Sequence, residues 1–154
     1  MRATTISAGS GSAVEIPLAP PARAAAAGAG RRVGQGLSAL AVLFLAFDAA
    51  IKLAQAAPVA EAFADLGMPF ELAVGIGVLQ LACIVLYLVP ATSALGAVLL
   101  TGFLGGAVVL HVRVGDPLFS HVLFPTYVGA LAWAGLLLRD GRLRDALLPR
   151  PRGS

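Results

Sequence analysis

Four apolar runs organise the chain. Hydrophobic residues fill positions 36–57, 70–89, 93–112 and 118–138 with few interruptions, and short polar or turn-forming segments separate them. A helix needs roughly 20 residues to cross about 30 Å of hydrocarbon, a length each run meets. Only Pro90-Ala91-Thr92-Ser93 divides the second run from the third. So short a link predicts an antiparallel helical hairpin, with Thr92 or Ser93 capping the third helix. Asp116-Pro117 opens the fourth run in the order of an N-cap followed by a first-turn proline. Pro125 lies inside that run and predicts a kink or local break. Between the first two runs, Val59, Phe63 and Leu66 repeat at helical spacing while Glu61 and Asp65 share the opposite side. Pro58 suits the start of a helix and Gly67 its end. Residues 58–67 therefore predict a short amphipathic helix lying at the membrane surface.

The flanks follow no such period. Residues 1–32 are rich in Ala, Gly, Ser and Pro, and predict a disordered tail. Residues 141–154 predict a basic tail, which leaves 33–140 as the bundle domain. Ala54-Gln55-Ala56 has the form of a signal-peptide cleavage site. The long segment before it and the charges at Asp48 and Lys52 weigh against cleavage.

Composition narrows the class. Hydrophobic residues make up 58% of the 154 positions and charged residues 12%, against roughly 25% charged in soluble domains. Mean hydropathy is +0.89. A water-soluble domain of this size has too small a core to hide so much apolar surface, and a disordered chain would be far more polar. An all-α fold follows, an integral membrane four-helix bundle. The formal net charge of +3 is unevenly placed. Arg23, Arg31 and Arg32 precede the first run, and Arg139, Arg142, Arg144, Arg150 and Arg152 follow the fourth. Four crossings return both termini to one side, and this bias makes that side cytoplasmic. The basic charge thus reflects orientation in a bilayer and calls for no nucleic-acid partner. Cys83 is the single cysteine. That rules out an intramolecular disulfide and a Cys-rich metal site, and the thiol is expected to be inert.

Polar side chains gather where this topology places the outer end of the bundle. Asp48 and Lys52 are four positions apart on one helical face, acid before base, the favourable order for an ion pair. His111, Arg113 and Asp116 end the third helix, and Ser120 and His121 begin the fourth. Charges within a membrane segment cost about 2.5–3.5 kcal/mol each at its centre, so they tend to be paired, functional or both. One reading is a small polar pocket. In it His111 and His121 carry protons, Arg113 or Lys52 holds an anionic or carbonyl group, and the Pro125 bend opens the site. The competing reading is structural. Asp48 and Lys52 then satisfy each other, Asp116 caps a helix, and Arg113 extends to the headgroups. A metal is not expected: His111, Asp116 and His121 straddle a turn without the spacing of a ligand set. Thr101/Gly105 and Gly102/Gly106 form small-xxx-small pairs, which suit close helix packing within the chain or, alternatively, in a homodimer.

Two segments carry a family likeness. The first is Pro58-Val59 followed by Glu61-Ala62-Phe63, Leu66-Gly67 and Pro69. The second is Gly105-Gly106-Ala107, His111-Val112-Arg113 and Gly115-Asp116-Pro117, continued by His121 and Pro125. With these, residues 34–148 resemble the DoxX-like family of small four-helix bacterial membrane proteins. The resemblance implies an unbroken four-span bundle in a bacterial inner membrane. It also implies an association with membrane redox complexes, including thiosulfate:quinone oxidoreduction, and marks His111, Arg113, Asp116 and His121 as the site. Relatives working on disulfides need paired cysteines, which this chain lacks. The expected role is that of an accessory subunit. It binds a membrane or redox protein partner, or a lipid-soluble molecule, at the outer polar end, and has no cofactor of its own. The alternative is a quinone-linked oxidoreductase component in which His111 and His121 hold the quinone. A permease is disfavoured, because the inner half of the runs has almost no polar residues.

Overall fold

The computed structural model describes residues 20–147, all-helical with connecting turns. The helices are α1 (Pro20–Leu53), α2 (Ala57–Asp65), α3 (Leu72–Leu88), α4 (Ser93–Val114), α5 (Phe124–Arg139) and α6 (Gly141–Leu147), with a π-helical turn at Leu118–Val122 before α5. Helix α1 packs against α3 and α5, and α4 against the same two, which closes a ring of four long helices. Three stretches are long and apolar enough to cross a membrane: Ala27–Leu53, Ser93–Val114 and Leu118–Arg139. Helix α3 is equally apolar but has 17 residues, at the lower limit of a spanning length. The turn at Pro69–Glu71 and the proline at 90 shorten it relative to the run read from the sequence. Leu43, Phe47, Val85 and Val109 are more than half exposed, so the outside of the ring is apolar.

Several elements depart from the sequence expectation. Helix α1 begins at Pro20, so 20–32 is helical where a tail was predicted. Alanine is the best helix former, and the run Ala24–Ala27 extends the helix once apolar packing further along has nucleated it. Residues 1–19 of the predicted tail lie outside the described residues. At the other end, 141–147 of the predicted basic tail form α6, started by the Asp140 carboxylate, which accepts from the N–H groups of Arg142 (3.0 Å) and Leu143 (3.1 Å). Arg150 and Arg152 lie outside the described residues. Thr92 occupies the N-cap position of α4 without capping it. Its hydroxyl instead donates to the Leu86 carbonyl at 2.9 Å, sealing the end of α3.

The ring is packed unevenly. At one end, Gly34 of α1 meets Gly135 of α5 so closely that a Cβ at 34 would stand 2.8 Å from the Gly135 carbonyl oxygen. Gly96 abuts the Tyr87 backbone in the α3–α4 hairpin. Tyr87 is fully buried there. Its hydroxyl donates to the Ala132 carbonyl (2.8 Å) and meets the Ser38 hydroxyl (2.8 Å), while Arg139 donates to its carbonyl (3.0 Å) and lies over its ring. Four helices are tied at this point, and the main apolar core lies beside it around Leu45, Ile84, Leu100 and Leu136. The opposite end is looser. It is closed by α2, which buries Val59 and Phe63 with Ala73 and leaves Glu61 and Asp65 exposed, as the period predicts. Gly67, at φ 61°, ends this helix, and Met68 N–H returns to the Phe63 carbonyl at 2.8 Å.

Candidate functional site

Beneath α2 the four helices stand apart around a cleft of about 680 Å³. Its walls are apolar, with Phe44, Phe63, Leu66, Phe103, Leu110 and Phe124 among them. Phe44 and Phe124 meet edge to face, 5.1 Å between centroids. Asp48, Lys52 and His111 supply ionisable groups to the lining. The expected polar pocket is therefore an apolar cleft with a few polar groups, a composition usual for a site that takes a small molecule.

One turn of α1 brings Asp48 and Lys52 together as an ion pair. Gln80 of α3 fixes both. Its amide nitrogen donates to Asp48 Oδ2 (2.8 Å) and to the Leu45 carbonyl (3.0 Å), and its oxygen accepts from Lys52 Nζ (3.2 Å). Gln80 is fully buried, and these bonds use its two donors and an acceptor site. Sequence reasoning passed over it. The available signal was one amide in an otherwise apolar run, a group that must find partners in hydrocarbon. Ser38 and Tyr87 were missed in the same way, and they supply polar groups to the half of the bundle away from α2, where the sequence reading assigned almost none.

His111 ends α4, where Gly115 in the left-handed conformation (φ 77°) turns the chain back. That turn carries Asp116 to His111: Asp116 Oδ2 lies 2.6 Å from His111 Nδ1, and the Asp116 N–H bonds to the His111 carbonyl. The predicted capping role of Asp116 is thus corrected. Pro117 takes the N-cap position of the π turn, and the Asp116 carboxylate is engaged with the imidazole. A carboxylate on one ring nitrogen orients the ring and leaves Nε2 for another partner.

Of the remaining candidates, Arg113 and His121 stand beside the cleft without lining it, and Pro125 is part of its wall. Arg113 reaches across to α2 and donates to the Leu66 carbonyl at 2.5 Å, satisfying the open end of that helix. His121 is exposed, paired with the Ser120 hydroxyl at 2.8 Å, and its ring centroid is 6.0 Å from that of His111. Pro125 lies buried in the cleft wall and opens α5, so the predicted break occurs just before it, at the π turn. Leu123 N–H bonds to the Leu118 carbonyl at 2.9 Å, one residue beyond α-helical reach.

Gly102, Gly105 and Gly106 hold no helix against them. A Cβ at any of the three meets nothing within 4 Å, so the expectation of packing within the chain is corrected. Gly102 and Gly106 instead border the cleft, where their missing side chains leave room. Close helix approach falls to Gly34, Gly77, Gly96 and Gly135. Among the described residues no three His, Cys, Asp or Glu side chains converge as a metal site requires.

Comparison with known proteins adds one match. A family model described as the DoxX-like family covers residues 36–135, from the first apolar run to the last turns of α5. No curated protein and no solved structure matches the chain.

Proposed function

The chain belongs to the DoxX-like family of membrane proteins, and from that premise we propose that it is a binding subunit that receives a lipid-soluble molecule in the cleft beneath α2. In this reading α1, α3, α4 and the π turn with α5 are four spans in a bacterial inner membrane. Both termini are cytoplasmic, and α2 lies at the outer surface. The arginines flanking the ring support the orientation. One observation carries the function: apolar walls enclose about 680 Å³ and present Asp48, Lys52 and His111 to whatever enters. The walls suit an apolar body, and the three side chains suit a single polar head.

The test is native mass spectrometry of the full-length protein, extracted from its own membrane in mild detergent. A small molecule should accompany the wild-type chain and be absent from Gly106→Phe. The new ring has open space to occupy and obstructs the cleft. An equal load in both proteins removes the cleft from the account. Co-purifying protein chains with no small molecule would replace this reading with that of a partner-binding accessory subunit.

The second reading is a quinone-linked oxidoreductase component. The contact between His111 and Asp116 favours it, since an oriented imidazole in the cleft wall suits a quinone carbonyl. It rests on His111 alone, because His121 does not line the cleft. Loss of bound quinone in His111→Ala, with His121→Ala retaining it, is the expected pattern. Unchanged quinone content in both variants sinks it.

A further inference from the structure

We propose that the cleft selects an uncharged head group, and specifically a hydroxyl, on a long apolar molecule; this rests on the reading of the cleft as a ligand site. The polar groups at the α1–α3 wall are nearly spent. Gln80 is fully engaged, and Asp48 Oδ2 accepts from both Lys52 and Gln80. Among the described residues no partner falls to Asp48 Oδ1 or to the third N–H of Lys52, whose side chains are 32% and 15% exposed. Both residues line the cleft. The wall therefore offers one acceptor beside one donor, on a pair whose charges cancel.

A hydroxyl answers both at once, giving its proton to Asp48 and accepting from Lys52. A ketone can accept from Lys52 but leaves Asp48 facing an apolar atom. An anionic head meets a lysine already neutralised and a carboxylate that repels it, in surroundings where an uncompensated charge is costly. At the opposite wall the His111 Nδ1 contact with Asp116 sets a second carboxylate behind the imidazole, which further disfavours an anion. Discrimination thus comes from the state of the Asp48–Lys52 pair, and its sign depends on Asp48.

The experiment uses the full-length protein in lipid nanodiscs and a hexadecanol carrying a photoreactive diazirine in its chain. Labelled residues are mapped by mass spectrometry, and unlabelled hexadecanol, hexadecanesulfonate and a methyl ketone of the same length compete. Hexadecanol is expected to displace the probe from cleft residues at a concentration about tenfold lower than either competitor. In Asp48→Asn, which keeps the shape and leaves Lys52 uncompensated, the sulfonate should gain on the alcohol. Equal or better competition by the sulfonate or the ketone in the wild-type protein overturns the inference while the cleft remains a ligand site. An Asp48→Asn variant that labels normally with an unchanged order of competitors overturns it too. Absence of any labelling within the cleft overturns the ligand site itself.

Discussion

Gln80, fully buried, commits its hydrogen bonds to holding two charges still. Gln80→Leu leaves the Leu45 carbonyl without its side-chain donor and loosens the Asp48–Lys52 pair. The expected cost is about 1–3 kcal/mol, read as a lower melting temperature in detergent; an unchanged melting temperature would remove the clamp. The glycines give a paired prediction. At Gly96 a methyl group strikes the Tyr87 backbone, so Gly96→Ala should destabilise by about 1–3 kcal/mol. At Gly105 the same change meets open space and improves helix propensity, so Gly105→Ala should stabilise by up to about 1 kcal/mol. Thermal unfolding of the two variants side by side checks both signs. Sequence spacing identified the stripe 101–106 but could not say which way it faces. The real contact of Gly34 with Gly135 joins residues far apart in the chain and leaves no local pattern. The Asp48–Lys52 pair was legible because one helical turn makes it, and Gln80 was not because the fold brings it there.

Elements were read most reliably where backbone chemistry marks their ends. Pro58 and Gly67 bracket α2 closely, and Pro125 announces the interruption before α5. The start of α1 was misplaced because alanine-rich sequence is poor in hydrophobic pattern yet rich in helix propensity. The π turn was invisible, since its hydrogen bonds depend on how α5 meets α4. Pro125 maintains that turn by withholding the N–H that would close an α-helical bond to the His121 carbonyl. Pro125→Ala supplies it and should let residues 118–139 run as a continuous helix. Hydrogen exchange of the amides at 121–124 is then expected to slow. Unaltered exchange would mean that packing, and not proline, sets the break.

At the scale of the molecule, the orientation makes a separable prediction. On the proposed orientation, an enzyme active only in the periplasm should be silent when fused after Ser154 and active when inserted in the loop at 67–69. Activity at the C-terminal fusion reverses the topology. Membrane class and helical architecture were legible in composition and periodicity, whereas the uneven packing was not, because it depends on which glycines face inward. That unevenness has a mechanical consequence. The crossing of Gly34 with Gly135 is a fulcrum, and the ten residues of α5 from there back to Pro125 form a lever arm of about 15 Å. A tilt of about 4° at the fulcrum moves the far end by about 1 Å, roughly the scale on which a side chain gains or loses van der Waals contact. Arg139 bonds the Tyr87 carbonyl on the short side of the fulcrum and the Tyr87 hydroxyl bonds Ala132 just past it, so a tilt there displaces α5 most at its Pro125 end, in the wall the cleft shares with His111.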